Sequence, residues 1–277
     1  MKLDLHCHSH CSDGALSPTE LLALAHENQV QMLALTDHDT LDGLSEAALA
    51  AKELGIKLID GVELSCQWRG QVLHLLGLNI DPNHDGLKAG ITSNKQVRWS
   101  RAEAMFEKFK HQGIDLRDAV VEQLGANSIP TRPHFAAALV ALGVVVDKRE
   151  AFKRYLVRGK PGFVAMEWPA ATTAMKWVIE AGGEAVLAHP TRYKFTRSKL
   201  ITLIEELLEI GPLGLEVATP TTDVGQQKML ADLCRRWQLT ASVGSDFHSP
   251  QQRWLNLGGC PTLPDDITPV WARFAAA

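Results

Sequence analysis

The sequence predicts an α/β fold in which a largely parallel sheet carries an inserted helical segment. Short apolar strands alternate with amphipathic helices over the first 80 residues and again after residue 165, and only helices can be read in between. Strands that alternate with helices are typical of parallel sheets. In addition, His, Asp and Glu residues repeatedly stand where the predicted strands end, which points to a functional site at that edge.

The first strand, residues 3–8, alternates apolar and polar side chains. Successive strand side chains point to opposite faces, so His6 and His8 share one face and Leu3, Leu5 and Cys7 take the other. Two imidazoles with this spacing can converge on one metal ion. A bend with a carboxylate then follows the strand at 12–14.

Helices and strands then alternate as far as residue 78. A capping box formed by Ser17 and Glu20, with Pro18 at the first position, begins a helix that runs to about residue 29. The other predicted elements of this part are a strand over 31–36, a helix over 43–54, and strands over 57–65 and 71–78.

The alternation stops after residue 79 and resumes near residue 170. We predict four helices in the interruption, over 94–111, from a cap at Asp115, from about 131–133, and from a capping box of Asp147 and Glu150. The resumed alternation consists of helices over 170–181, 197–210 and 223–237 and strands over 184–188, 213–217 and 240–243.

The composition is that of a soluble globular protein, with 45% hydrophobic and 22% charged residues among 277. No apolar run is long enough for a transmembrane helix, and the chain opens directly on a strand without a signal-peptide pattern, so we expect a cytoplasmic protein. Five scattered cysteines argue against a disulfide framework. Cys7 and Cys11 could ligate zinc, but Cys7 lies on the strand face opposite His6 and His8, which disfavours a shared zinc site.

The net charge of −4 conceals an asymmetry along the chain. Residues 84–165 contain 14 Lys and Arg against 8 Asp and Glu, so the remainder is strongly acidic. An acidic body and a basic insertion suit metal cations in one part and an anionic substrate in the other. The alternative, a chance difference between helix surfaces, is open at this point.

Ionisable residues at the carboxyl ends of buried strands are costly unless they are ligated or hydrogen-bonded. That edge is also where loops build the site in barrels and doubly wound folds. The residues that stand there, or beside it, are His6, His8, Asp13, Asp37, His38, Glu63, His74, His189, Asp246 and His248. A polynuclear metal site is the simplest account of this set.

The motifs resemble those of the PHP (polymerase and histidinol phosphatase) superfamily, in the expected order over residues 1–80 and 165–260. They are His6-Cys7-His8, Thr36-Asp37-His38-Asp39, Gly61-Val62-Glu63-Leu64-Ser65, His189-Pro190 and Ser245-Asp246-Phe247-His248. The resemblance implies a distorted seven-stranded β/α barrel with metal-dependent phosphoesterase activity. The barrel would comprise residues 1–80 and 165–277, and the all-helical insertion, residues 81–164, would serve as a substrate-recognition lid.

Members of that superfamily typically hold three divalent ions. The resemblance implies that the first ion is held by His6, His8, Glu63 and Asp246. Glu63 would bridge to a second ion, which His74 and His189 also hold. The third ion would be held by Asp13, His38 and His248. Mixed His and carboxylate ligands favour Mn²⁺, with Fe²⁺ or Zn²⁺ as alternatives, over Mg²⁺.

The implied reaction is an in-line attack on phosphorus by a metal-bound hydroxide. The residues that would hold this hydroxide are His6, His8, Glu63, His189 and Asp246. Asp37, Asp39 and His134 are the nearest spare groups, and none is assigned as general base.

Basic residues of the insertion are the expected substrate contacts, since arginine binds phosphate bidentately and helix starts favour anions. Arg98 and Arg101 share a face of one predicted helix, and Arg132 and His134 lie at the start of another. The complete set of predicted substrate-binding residues is Arg98, Arg101, Arg132, His134, Thr191 and Arg192.

The stretch 132–136 and the helical insertion narrow the resemblance to a bacterial branch that acts on 3′,5′-bisphosphate nucleotides or degrades short RNA from its 5′ end. We therefore expect removal of the 3′-phosphate from a substrate such as adenosine 3′,5′-bisphosphate, and action on short 5′-phosphorylated RNA. No membrane and no obligatory protein partner is expected.

Three alternatives stay open. A histidinol-phosphate-type phosphomonoesterase would bind a cationic amine, which suits an arginine-rich patch poorly. A non-catalytic scaffold or proofreading module and a metal-dependent amide hydrolase are also compatible with the barrel.

Overall fold

A computed structural model describes residues 1–124, 128–252 and 254–274. The strands are β1 Leu3–Cys7, β2 Met32–Leu35, β3 Lys57–Trp68, β4 Gln71–Leu78, β5 Glu184–Leu187, β6 Gly214–Ala218 and β7 Thr240–Val243. The α-helices are α1 Pro18–Glu27, α2 Leu44–Leu54, α3 Asp85–Lys110, α4 Arg117–Val121, α5 Arg132–Ala141, α6 Lys148–Ala151, α7 Ala171–Glu180, α8 Arg197–Leu208 and α9 Val224–Trp237. A π-helical turn, Phe152–Leu156, continues α6, and short 3₁₀ turns span Pro190–Arg192 and Val270–Arg273.

Among the described residues, the strands form one seven-stranded sheet in chain order. The sheet curls until β1 meets the chain beyond β7, where His8 N–H donates to the Phe247 carbonyl at 2.9 Å and Asp246 N–H donates to the His6 carbonyl at 2.8 Å. The result is the nearly closed, distorted barrel expected from the sequence. None of the described helices has the length and apolar character needed to span a membrane.

Strand β4 is the exception to the predicted parallel sheet. It pairs antiparallel with both β3 and β5, whereas the other neighbouring strands are parallel. Only Arg69 and Gly70 connect β3 to β4, both with positive φ, which suits a tight hairpin. A parallel crossover needs a dozen or more residues, so this connection dictates the reversal.

The long helix α3 begins at Asp85, so the predicted start at Asn94 is wrong. The His84 imidazole caps it by accepting from Leu87 N–H at 3.3 Å. Asn94 resembles a capping residue in the sequence, but it lies buried in mid-helix. Its side-chain amide donates to Asp39 Oδ1 at 2.7 Å and to the Ser65 carbonyl at 2.9 Å.

The other predicted caps agree with the structure to different degrees. The Ser17 and Glu20 capping box is confirmed, and α5 begins at the predicted position with Thr131 as its cap. The box of Asp147 and Glu150 is only half present. Asp147 accepts from Glu150 N–H at 2.7 Å, but the Glu150 carboxylate accepts from Val146 N–H.

The alternation of β1 is interrupted. Cys7 packs with Leu33 and Leu35 beside α1 and α2, whereas Leu3 and Leu5 pack in a different apolar cluster that includes residues near the C-terminus. A register shift in the β1–β2 pairing between Asp4 and Cys7 accounts for the difference. The expectation that all three apolar side chains share one face is therefore wrong.

The helical segment has an apolar core of its own, built from residues between Ala102 and Leu156, with Phe106, Phe109 and Phe135 among them. The first turns of α3 pack elsewhere. Leu87 and Ile91 belong to the apolar core between the barrel strands and the helices α7, α8 and α9. Gly90 lies so close to α7 that an added Cβ would stand 2.4 Å from the Trp177 ring. Helix α3 thus joins the barrel to the helical segment.

We expect Gly90→Ala to destabilise the protein, because the new methyl group has no room against Trp177. The free energy of unfolding should fall by about 1–3 kcal/mol, the usual cost of overpacking. Ser93→Ala on the exposed side of the same helix should change it by less than about 0.5 kcal/mol. Urea denaturation of both variants measures the difference. Equal stabilities would mean that α3 and α7 are not in close contact.

Candidate metal centre

Four buried side chains from three strands, β1, β3 and the segment after β7, converge on one face of the barrel. Glu63 lies in the middle of β3 and not near its end, because β3 continues to Trp68. His6 Nε2 and His8 Nε2 each lie 3.2 Å from Glu63 Oε2, and 3.3 and 3.1 Å from Asp246 Oδ1. Their candidate ligand atoms all lie within 4.8 Å of one another. Two imidazoles and two carboxylates in this arrangement can surround one cation.

Glu63 lies at the middle of the cluster and is completely buried. Its two oxygens face different imidazoles: Oε2 lies near His6, His8 and His38, and Oε1 lies 2.8 Å from His74 Nδ1 and 3.0 Å from His189 Nε2. A carboxylate flanked in this way can bridge two cations, one on each oxygen.

A further group lies beside the first. Asp13 Oδ1 is 3.3 Å from His248 Nε2, and both residues lie close to His8 and His38. The chain brings these residues from the bend after β1, the end of β2 and the loop after β7. Every candidate ligand predicted from the sequence therefore lies in this cluster, whereas no cysteine belongs to the metal-binding groups found among the described residues.

The cluster fits cations, because many of its buried polar atoms point inward without a hydrogen-bond partner. These atoms are His6 Nε2, Asp13 Oδ1, His38 Nδ1, Glu63 Oε2 and His74 Nδ1. Buried polar atoms are nearly always satisfied in folded proteins. Convergent lone pairs of imidazole nitrogen and carboxylate oxygen are the donor set of first-row divalent metals.

The carboxylates and imidazoles of the cluster shift one another's pKa values strongly. Burial opposes ionisation of Glu63, but the surrounding imidazoles outweigh it and hold the pKa of its carboxyl group well below the usual value. Burial lowers the pKa of His38 to about 3, which leaves a neutral imidazole. Burial opposes protonation of His8, but its contacts with Asp246 and Glu63 outweigh it and raise the pKa of this imidazole to about 10. A metal ion that binds there would have to displace a proton, because metals bind the neutral imidazole.

Glu216 is a buried carboxylate that the sequence analysis missed. Its Oε1 lies 2.8 Å from His6 Nδ1, and its Oε2 accepts from His189 N–H at 2.6 Å. Through these two bonds one side chain orients the ring of His6 and the backbone of His189. Its place in the buried strand Gly214–Ala218, where a charge is costly, is the signal that could have revealed it.

Three residues at these strand ends adopt left-handed backbone conformations that are uncommon for side chains with a Cβ. They are Asp39, His189 and Asp246, with φ values of 50°, 31° and 53°. Such conformations are typical of functional sites, where the surrounding structure imposes them. Gly244 precedes Asp246 closely, and a Cβ there would lie 2.2 Å from that of His6.

Asp37 and Asp39, the two carboxylates on either side of His38, are hydrogen-bonded to groups of the protein and are not candidate metal ligands. Asp37 accepts hydrogen bonds from Ser9 N–H, Ser9 Oγ and Ser12 Oγ, at 2.8, 2.6 and 2.6 Å. Asp39 accepts from Ser65 N–H at 2.8 Å and from Arg98 Nε at 2.6 Å. Both carboxylates hold loops in place, so neither is a free proton acceptor.

A cleft of about 490 Å³ opens over the cluster, and we call it the first cleft. Asp13, His38 and His74 lie along its metal side, and its other side carries a group of arginines that we call the arginine cluster. The arginine cluster consists of Arg98, Arg101, Arg132 and Arg158. One cavity is thus lined by a carboxylate and two imidazoles of the candidate metal centre and by four guanidinium groups.

Arg101 has a side-chain donor that is available for an anion. Its Nε is buried without a hydrogen-bond partner. Burial, together with the charges of Arg132 and Arg98, lowers its pKa to about 10, so it is cationic at neutral pH. Arg98 instead donates two hydrogen bonds inside the protein, to Asp39 Oδ2 at 2.6 Å and to Ser65 Oγ at 2.7 Å.

The remaining predicted substrate contacts occupy different places. Arg192 lines the first cleft and is paired with Asp246. His134 caps its own helix, since its Nδ1 accepts from Thr131 N–H at 3.0 Å, and it does not line the first cleft. Thr191 is absent from the lining of the clefts described here.

Comparison with known proteins places this arrangement in a family. The model of the PHP domain matches residues 4–168. The chain is 43% identical to a 5′-3′ exoribonuclease of Haemophilus influenzae, over 99% of each chain. It is 39% identical to a 3′,5′-nucleoside bisphosphate phosphatase of Chromobacterium violaceum, over 99% of this chain and 96% of the relative.

A solved structure from Chromobacterium violaceum superposes with a TM-score of 0.92 at 38% identity, over 99% of this chain and 96% of that one. It is described as an amidohydrolase with bound sulfate and no metal. The family model covers more than half of the present sequence, and the relatives match it from end to end. The chain therefore belongs to the PHP family, whose members include metal-dependent hydrolases of phosphate esters.

Proposed function

We propose that this protein hydrolyses the 3′-phosphate ester of nucleotides that also carry a 5′-phosphate, such as adenosine 3′,5′-bisphosphate, and the equivalent bond in short 5′-phosphorylated RNA. The observation that carries the proposal is the arginine cluster, which shares one cleft with the candidate metal centre. A substrate with two phosphates needs two anion sites. The names of the two relatives describe these same two activities.

The proposal includes three divalent ions, with Mn²⁺ favoured by the mixed donors. Their ligands would be His6, His8, Asp13, His38, Glu63, His74, His189, Asp246 and His248. When bound, such ions supply a nucleophilic water at neutral pH and neutralise charge on the phosphoryl group. The unpartnered inward-facing atoms of these side chains support the assignment.

The residues of the insertion would bind the phosphate that is not cleaved. Arg101 presents an unpartnered buried guanidinium edge, and Arg132 adds a second cation beside it. Arg98 holds its position through Asp39, the neighbour of the candidate ligand His38. The first cleft would therefore orient a nucleotide with its 5′-phosphate at the arginines and its 3′-phosphate at the metal centre.

The same bond is broken in both substrates. Water oxygen forms a bond to phosphorus, the bond between phosphorus and O3′ breaks, and O3′ takes a proton. From a bisphosphate nucleotide the products are a 5′-mononucleotide and inorganic phosphate. From RNA the products are a 5′-mononucleotide and a shortened strand that retains the phosphate at its 5′ end.

The domain division predicted from the sequence belongs to this proposal. Residues 81–164 would recognise the substrate, and residues 1–80 and 165–277 would hold the metals. The separate apolar core between Ala102 and Leu156 supports such a unit. Residues 125–127 and 275–277 lie outside the described residues, as does Arg253.

The arginine cluster disfavours the runner-up substrates. Histidinol phosphate carries one phosphate and a cationic amine, and four guanidinium groups in the cleft would repel that amine. An amide substrate without phosphate would leave these cations without a counter-charge.

We expect Arg101→Ala to change the choice of substrate. Loss of one partner of a buried charge pair costs about 2–4 kcal/mol. The kcat/KM for adenosine 3′,5′-bisphosphate should fall accordingly, while that for adenosine 3′-monophosphate, which lacks the 5′-phosphate, should fall much less. Steady-state phosphate release with both substrates measures the ratio. Arg117→Ala is the matched control, since Arg117 pairs with Glu103 on the surface. Equal losses on both substrates would contradict the assignment.

We expect Glu216→Gln to weaken metal binding although Glu216 would not touch a metal. Replacement of a residue that orients a metal ligand typically costs about 10- to 100-fold in metal affinity. Calorimetric titration of the apo variant with Mn²⁺ measures the affinity directly, without an activity assay. Glu205→Gln on the exposed face of α8 is the control and should bind Mn²⁺ normally. Unchanged affinity in Glu216→Gln would remove its orienting role.

A further inference from the structure

A second cleft, of about 670 Å³, also opens onto the candidate metal centre. It reaches the centre through Asp13, Asp246 and His248, whereas the first cleft reaches it through Asp13, His38 and His74. Both clefts are lined by residues of the barrel and of the helical insertion. In the proposed function a mononucleotide would occupy the first cleft. A bisphosphate nucleotide needs only the first.

The clefts meet at the metal centre. Asp13 and Arg192 line both of them, and so does Pro133 at the start of α5. A ligand too long for the first cleft can therefore extend past the centre into the second without leaving the protein surface. This continuity is what a polymeric substrate requires.

The lining of the second cleft suits a single nucleotide. Trp254 presents an exposed indole, with 64% of its surface accessible, and Lys148 supplies a cation. Gln252 adds an amide whose Oε1 is buried and has no hydrogen-bond partner. An aromatic platform next to a cation is the combination by which proteins bind single-stranded nucleic acid.

We propose that the second cleft binds the nucleotide on the 3′ side of the scissile phosphate in short RNA. This inference rests on the proposed function, because it takes the first cleft to hold the 5′-terminal nucleotide. Water adds to phosphorus, the bond to O3′ breaks, O3′ takes a proton, and the phosphoryl group stays on the downstream nucleotide. The base of that nucleotide stacks on Trp254, and Lys148 lies near its backbone.

This arrangement makes the product of one cycle a substrate for the next. Each cleavage creates a 5′-phosphate on the shortened strand, which is the group that the arginine cluster would bind. The strand then has only to move from the second cleft into the first. A bisphosphate nucleotide has no downstream residue and makes no contact with Trp254.

The test compares the 5′-phosphorylated diribonucleotide pApA with adenosine 3′,5′-bisphosphate on the Mn²⁺-loaded protein. Trp254→Ala should lower kcat/KM for pApA by about tenfold, the scale of one lost base stack. Lys148→Ala should lower kcat/KM by a similar factor for the trinucleotide pApApA, which carries a further phosphate beyond the downstream nucleoside. Both should leave kcat/KM for the bisphosphate within about twofold of wild type. Trp99→Ala and Lys153→Ala are matched controls, because both residues are exposed and line neither cleft.

The outcomes separate this inference from the proposed function. Hydrolysis of the bisphosphate with no hydrolysis of pApA by wild type overturns the second cleft as a binding site together with the RNA activity of the proposed function, and it leaves the bisphosphate activity standing. Equal changes with the RNA and the bisphosphate in Trp254→Ala and Lys148→Ala overturn the second cleft alone. Failure of wild type to hydrolyse either substrate overturns both. A selective loss with the RNA substrates, absent from the control variants, supports the downstream site.

Discussion

The contact on which the site depends is that between the buried carboxylate of Glu63 and the imidazoles around it. A charge with no access to water is tolerated only where opposite charge or hydrogen bonds compensate it. Imidazoles from β1, β2, β4 and the end of β5 surround both oxygens of Glu63, although Oε2 has no hydrogen bond of its own. Because these rings come from strands far apart in sequence, the barrel must curl almost to closure before they can meet. The curl of the sheet therefore brings imidazoles from strands on both sides of β3 to one buried carboxylate.

Buried carboxylates that surround the candidate metal centre hold its candidate ligands in position. Glu216 orients His6 and the backbone of His189, and Asp4 accepts from Ser245 N–H and Gly258 N–H at 2.8 and 2.7 Å, next to the segment that carries Asp246. Asp39 extends this set into the insertion, since it accepts from Asn94 and Arg98 of α3. The position of α3 is thus coupled, through the buried carboxylate of Asp39, to the end of β2 that carries His38.

The sequence predicted the positions of site residues best where an ionisable residue directly follows a predicted strand. His189, Asp246 and His248 could be predicted because an ionisable residue directly after a buried strand has few explanations. Glu216 escaped notice because one carboxylate inside a strand carries no motif, and its partners come from other strands. The start of α3 could not be predicted from Asn94, since a buried amide in mid-helix has the same appearance in a sequence as a cap. The short connection between residues 65 and 71 indicates that β4 runs antiparallel to β3. The βα alternation of the rest of the chain favours a parallel sheet and conceals this signal.

Under the proposed function, the arginine cluster would build selectivity for a 5′-phosphate into the free protein. The charges of Arg98 and Arg132 oppose that of Arg101 and contribute to its lowered pKa. This repulsion is present before any ligand binds, and a phosphate dianion relieves it, whereas a neutral 5′-hydroxyl group does not. The difference in binding free energy between phosphorylated and unphosphorylated 5′ ends therefore includes the removal of repulsion as well as the new contacts. A phosphatase and an exonuclease that start from a 5′-phosphate need this same discrimination, so one cleft can serve both reactions, and only the group attached beyond the scissile phosphorus distinguishes them.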